Sequence, residues 1–138
     1  MVEIVIATEN DARNLERIFK GLYKPETKWS EDKIKEKMRK GREYYILNQD
    51  GAIELKFEDD KCELVAIAVN PKMKGFGSQL VQFAESLASA RKCQRIWCYT
   101  LDVNNADEFY KKIGWVQEDF IPEFLEGHDA FKFSRELN

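Results

Sequence analysis

The segment that most constrains the fold is an unbroken apolar run, residues 64–69, that enters Asn70-Pro71-Lys72-Met73-Lys74-Gly75-Phe76-Gly77-Ser78. It leaves as a helical pattern, with Leu80, Phe83, Ala84, Leu87 and Ala88 at i, i+3, i+4, i+7 and i+8. An apolar run without alternation implies a central strand covered on both faces. Strand, glycine-containing turn and helix start together can hold an anion. Glycine lets the backbone come close, and the unpaired N–H groups of a helix start point outward. A tight turn that starts a helix and binds nothing carries the same residues, so the rest of the chain has to decide.

Residues 3–7 read as a first strand. Asn10 or Asp11 can cap a helix carrying Leu15, Ile18, Phe19 and Leu22, which Lys24-Pro25-Glu26 ends. Ser30 can cap a second helix, with Glu31 and Asp32 in its first turn, Arg39 and Lys40 in its last, and Gly41 closing it. Its apolar content is thin, mainly Ile34 and Met38, which predicts a surface helix.

A strand at 44–47 meets Asp50-Gly51, a hairpin signal. The next strand alternates Ile53, Leu55 and Phe57 with Glu54, Lys56 and Glu58, which predicts one wet face. Strands at 62–69 and 95–101 flank the long helix, which ends near Arg91-Lys92. Ala106, Phe109, Tyr110 and Ile113 form a short helix face stopped by Gly114, and residues 115–121 and 130–135 close the chain as strands. The order β-α-α-β-β-β-α-β-α-β-β implies an α/β (α+β) fold. Its sheet would be mixed, mainly antiparallel, of six to seven strands, with helices on both faces. No linker or repeat divides residues 1–138, so a single domain is expected.

A net charge of -3 argues against a nucleic-acid partner. No apolar run approaches the roughly 20 residues needed to cross a bilayer. Three cysteines without framework spacing suit reduced thiols in a cytoplasmic protein, and one histidine makes a zinc site of Cys and His improbable.

Two segments together resemble the GNAT superfamily of acetyl-CoA-dependent N-acetyltransferases. The first, Lys72-Met73-Lys74-Gly75-Phe76-Gly77 after the apolar strand, is similar to its Gln/Arg-x-x-Gly-x-Gly/Ala signature, with Lys72 at the first position. The second, Asn105-Ala106-Asp107-Glu108-Phe109-Tyr110-Lys111-Lys112-Ile113-Gly114-Trp115, is similar to its Asn-Ala-x-x-Phe-Tyr-x-Lys-x-Gly-Phe segment. The resemblance implies acetyl-CoA as cosubstrate, with its pyrophosphate on backbone N–H groups between Met73 and Ser78. Gly75, Phe76 and Gly77 lie in that cradle, with Lys72 and Lys74 able to add charge, and Asn105 belongs to the cofactor set. It implies that the pantetheine arm pairs with Ile67, Ala68 and Val69 where two parallel strands splay.

On the same resemblance Tyr110 is the general acid for the leaving thiolate. Its alternative is a core aromatic. Glu63, at the start of the central strand, is the candidate base, and at an unperturbed pKa near ~4.3 it needs burial to serve. Glu54 is a weaker base candidate. His128 reads as a turn residue and Cys98 as core. The acceptor would be a primary amine of a small molecule, peptide or protein. Between Ile113 and Phe131 the sequence has acids and no Lys or Arg, so a cationic acceptor fits, as does a solvated acidic loop. Phe120, Phe124, Trp29 and Tyr23 could wall that side or simply pack. An acyl-CoA-binding or interaction module with little catalysis is the rival reading, and both monomer and homodimer are open.

Overall fold

The computed structural model describes residues 3–20, 22, 29–69, 75–104 and 106–137. Seven strands form one sheet: β1 (Ile4–Ile6), β2 (Glu43–Leu47), β3 (Gly51–Glu58), β4 (Lys61–Val69), β5 (Arg95–Leu101), β6 (Val116–Leu125) and β7 (His128–Glu136). Their spatial order is β1-β2-β3-β4-β5-β7-β6, and every neighbouring pair is antiparallel except β4 and β5. Four helices cover the sheet: α1 (Ala12–Phe19), α2 (Glu31–Arg39), α3 (Phe76–Ala90) and α4 (Asp107–Lys112). No helix among the described residues is long and apolar enough to cross a membrane.

Two cores result, one on each face. On one, Leu80, Val81, Ala84 and Ala88 of α3 and Tyr110 of α4 pack on Leu55, Cys62, Leu64, Ile96, Cys98 and Phe133. On the other, Leu15, Ile18 and Phe19 of α1 and Ile34 of α2 pack on Tyr44, Ile46, Ala52 and Ala66. The ring of Phe19 stacks on Trp29 at 4.8 Å, so Trp29 is buried packing on the α1 side. Burying a side chain of this size contributes roughly 1.5–3 kcal/mol.

Asp11 is the N-cap residue of the first helix, as expected, but its side chain makes no capping bond to that helix. Glu9–Asp11 forms a single 3-10 turn, and the Asp11 carboxylate reaches back to accept the Thr8 N–H at 2.8 Å. The second helix has its predicted cap, since Ser30 Oγ accepts the Lys33 N–H at 3.1 Å. It is more than a surface helix, because Ile34 is fully buried. The β2–β3 hairpin also forms, but its left-handed residues are Asn48 (φ 48) and Gln49 (φ 70), not the Asp50-Gly51 pair. Gly51 instead lies in β3, where a Cβ would meet Leu80, Val69 and the Ala68 carbonyl at 3.5–3.6 Å.

The predicted wet face of β3 is covered. Glu54 has 0% exposure because α1 and α2 dock over it. Its carboxylate bonds Arg42, lies 3.9 Å from the Lys37 ammonium and faces the buried Tyr44 on β2. A buried carboxylate is tolerable only with such cations beside it. Arg42→Ala should therefore cost about 3 kcal/mol, with Lys37 left as the remaining counter-charge. Replacing Arg42 and Glu54 together by methionine should cost much less, and denaturant midpoints at constant m-value compare the two.

Candidate active site

The sheet opens at its centre. Strands β4 and β5 pair at Lys61↔Arg95, Cys62↔Ile96 and Glu63↔Trp97, and at no later position. Beyond that rung β4 stays paired with β3 as far as Val69↔Gly51, and β5 with β7 as far as Leu101↔Ala130. The two facing edges of the fork, residues 66–69 and 99–101, thus present backbone groups that their sheet partners do not use. Buried N–H and C=O groups demand partners, so an extended, amide-bearing ligand fits between the arms.

A bulge sets the angle. Glu54 pairs with Ala66 and Leu55 with Leu64, which leaves Val65 as the extra residue of β4. An extra residue bends a strand and increases its twist. Ile67 and Val69 then pack toward α3, and Ala66 and Ala68 toward α1.

At the open end of the fork stands the start of α3. Gly75 occupies its N-cap with φ +87, a left-handed conformation that favours glycine, and no described side chain caps the helix. Its first turn holds no acid, whereas α2 opens with Glu31 and Asp32 and α4 with Asp107 and Glu108. The N–H groups of Phe76, Gly77 and Ser78 and the positive end of a 15-residue helix are therefore left for an anion. Gly77 has a further reason to be glycine, because a Cβ there would meet the Phe109 ring at 3.5 Å. Lys72, Met73, Lys74 and Asn105 lie outside the described residues, as does Tyr23.

Tyr110 sits over the first rung past the fork. Cys98 faces Phe133 across β5 and β7, and the Tyr110 ring stacks on Phe133 at 5.5 Å. Its hydroxyl hydrogen-bonds the Cys98 side chain. Burial, and after it the Cys98 side chain, push the phenol well above its ordinary value. It therefore stays protonated at neutral pH and acts as a hydrogen-bond donor. The position of α4 is fixed at both flanks. Trp115 N–H bonds the Tyr110 carbonyl at 3.0 Å and Gly114 N–H the Lys111 carbonyl at 3.1 Å, a Schellman ending with Gly114 at φ +93. The Trp115 indole donates to Glu85 of α3 at 2.8 Å.

Glu63, partly buried at the last paired rung, lies on the opposite face, in a cleft with Trp97, Arg95 and Lys132. Glu54 lies on β3, next to the β4 arm of the fork, with its carboxylate bound to Arg42 beneath the α1–α2 layer. His128 begins β7, with Nδ1 3.1 Å from Asp102 Oδ1, and Asp102 Oδ2 accepts the Asp129 N–H at 3.1 Å. That contact ties the β6–β7 turn to the end of β5. Cys62 and Cys93 are buried thiols, and burial pushes Cys62 up to about 12. Neither is a nucleophile at neutral pH. Phe120 packs on Phe131 at 5.4 Å and Phe124 on Tyr99 at 5.2 Å. The Cys98 contact of Tyr110 and the Asp102 contact of His128 were invisible in the sequence, since strand pairing rather than spacing creates them.

The profile of the Acetyltransferase (GNAT) family matches residues 10–115. No curated protein matches in sequence. Among solved structures, the ribosomal-protein-S18-alanine N-acetyltransferase from Escherichia coli superposes with a TM-score of 0.85 at 18% identity, covering 100% of this chain and 95% of that one. Ard1 from Thermoplasma volcanium gives 0.82 at 19% identity, over 99% and 98%. The spermidine/spermine N-acetyltransferase SpeG from Vibrio cholerae gives 0.78 at 18% identity, over 99% and 95%. At these identities the likeness is one of fold.

The Tyr110 environment sets an alkaline limit. An unfolded tyrosine ionises near ~10, so above that pH the unfolded chain binds fewer protons than the folded one and stability falls. Below it the contribution is fully present. Tyr110→Phe should flatten the alkaline decline by up to ~1.4 kcal/mol per pH unit, read from urea midpoints across an alkaline pH series.

Proposed function

Because this chain belongs to the acetyltransferase (GNAT) family, we propose that it transfers acetyl directly from acetyl-CoA to a primary amine of a small molecule, peptide or protein. The observation that carries this reading is the fork, with an uncapped helix start at its mouth and two candidate proton-handling groups at its narrow end, one on each face. The pyrophosphate would rest on the first N–H groups of α3. The amides of the pantetheine arm would complete the open edge of β4 at Ile67, Ala68 and Val69.

Attack requires a neutral amine, and a lysine-like amine near ~10.4 is almost wholly protonated at neutral pH. In this reading Glu63 would accept that proton, directly or through water, from the face opposite α4. The amine nitrogen then bonds the acetyl carbon, the carbon–sulfur bond breaks, and the thiolate takes a proton. Tyr110 stabilises the developing thiolate by hydrogen bonding. Its high pKa makes it a poor full proton donor, so solvent completes the protonation. No covalent enzyme intermediate is needed. Three buried cysteines outside any disulfide suit a reducing compartment, and we place the protein in the cytoplasm. The fold neighbours named above act on a ribosomal protein's alanine and on polyamines, so the fold does not choose the acceptor.

Thiol release from acetyl-CoA across an amine panel tests transfer. A binding module would retain CoA yet release no thiol above background. Ser78→Asp places a carboxylate in the first turn of α3. It should keep or slightly raise thermal stability, by roughly 0.3–1 kcal/mol, while abolishing CoA binding in calorimetry. Tyr110→Phe should retain CoA binding and lower kcat, and Glu63→Gln should lower kcat by roughly a hundredfold or more. An unchanged kcat in both variants would refute these roles.

A further inference from the structure

Among the described residues no helix covers the face of β5 and β7 that looks away from α3 and α4. Alternation puts Ile96, Cys98 and Phe133 in the α3–α4 core, so Arg95, Trp97, Tyr99 and Lys132 point the other way, and α1 and α2 cover only β2 to β4 there. On this bare half-sheet Trp97, Tyr99 and Phe124 form an aromatic row, with ring centroids 5.1 and 5.2 Å apart. Beside it lies a cleft of about 250 Å³. That is below the roughly 300 Å³ at which pockets begin to take drug-sized ligands, so the cleft suits a small molecule.

The charges in this cleft are arranged unequally. Glu118 is bound by Arg95 at 2.5 Å; although burial pulls its carboxyl up, the Arg95 and Ser134 hydrogen bonds hold it below the usual carboxylate range. Asp129 accepts the Glu123 N–H at 2.9 Å. Part of the acidity of the 113–131 segment is thus answered within the protein. Lys132 follows that segment, and its ammonium lies 5.0 Å from the Trp97 ring and 6.0 Å from that of Tyr99. Among the described residues no carboxylate comes within ion-pairing distance of it, while Arg95 holds Glu118 and Glu136 and Lys56 holds Glu58. Lys132 and Glu63 line the same cleft. Glu63 and Lys132 thus set a negative and a positive charge in one cleft, which Lys56, Glu58, Asp59, Lys61 and Arg95 also line, with the Trp97 ring as its apolar surface.

We propose that the acceptor is a small amino-acid-like zwitterion, its amine at Glu63 and its carboxylate held by Lys132. This rests on the acetyl-transfer reading, but binding can be read without turnover. It departs from the cationic acceptor that the acidic segment alone implies, because a carboxylate on the ligand gives the Lys132 ammonium a close partner, whereas Glu118, whose carboxyl feels the Lys132 charge, is already bound to Arg95. A polyamine would instead meet that ammonium unshielded.

The test uses matched amines with and without a carboxylate: phenylalanine and phenethylamine, tryptophan and tryptamine, lysine and cadaverine, with spermidine as the cationic arm. Ligand-observed NMR against the CoA-bound protein reads binding, and thiol release from acetyl-CoA reads turnover. The carboxylate member of at least one pair should bind and react roughly ten- to a hundredfold better than its partner. Lys132→Met, which keeps the stem that packs on Trp97, should bring that ratio toward one through KM, and Lys132→Arg should preserve it. A preference for the decarboxylated amines or spermidine, no binding by any pair, or a ratio unmoved by Lys132→Met would overturn the proposal. Carboxylate-selective, Lys132-dependent binding with no thiol released from any amine would uphold the site and count against acetyl transfer alone.

Discussion

One extra residue in β4 governs what the sheet can do. With Val65 inserted as a bulge, β4 bends away from β5 after three rungs, and a continuous sheet becomes a fork. The same insertion changes which side chains face which helices. Before it, Cys62 and Leu64 point to α3; after it, Ile67 and Val69 do, and Ala66 and Ala68 turn to α1. Only small side chains lie on the α1 side of the open arm, so α1 can settle closely on the sheet. Opening the fork and seating the α1–α2 layer are consequences of a single backbone irregularity.

That layer is not simply an apolar lid. Its floor contains the Glu54 carboxylate with Arg42 and Lys37, one from the turn just before β2 and one from α2. Lys37 also lies 4.6 Å over the Trp29 ring. A charged contact of this kind specifies where α2 sits along the strands, which a surface of alanines and leucines would do poorly.

The order of elements, the sheet and the positions of α3 and α4 could be read because periods of 2 and 3.6 are strong over those segments. Glycine at 41 and 114 marked two helix ends correctly, but α3 ends in the same hydrogen-bond pattern with Lys92 at φ +65, which no residue preference announces. The central strand was read as unalternating for an instructive reason: it consists of two alternating halves whose phases differ by the bulge. Glu54 misled because local alternation cannot report a helix layer docked from elsewhere in the chain. For the site, Tyr110 and Glu63 stood out by their places in helix and strand, whereas Cys98 as the partner of Tyr110 and Lys132 as the neighbour of Trp97 depend on β7 pairing with β5, across more than thirty residues of sequence.

The contact between Tyr110 and Cys98 carries a kinetic implication. The phenol rests against the sulfur of Cys98, the same element that the proposed chemistry would present to it. Working contact would then be an exchange of one soft, weakly accepting atom for another, with little change in the electrostatics of the buried ring. Such an exchange favours the thiolate over the thioester, since only the former gains charge that Cys98 lacks. It also weakens the hold on the finished thiol, which competes with Cys98 on nearly equal terms, and so favours departure of the spent carrier.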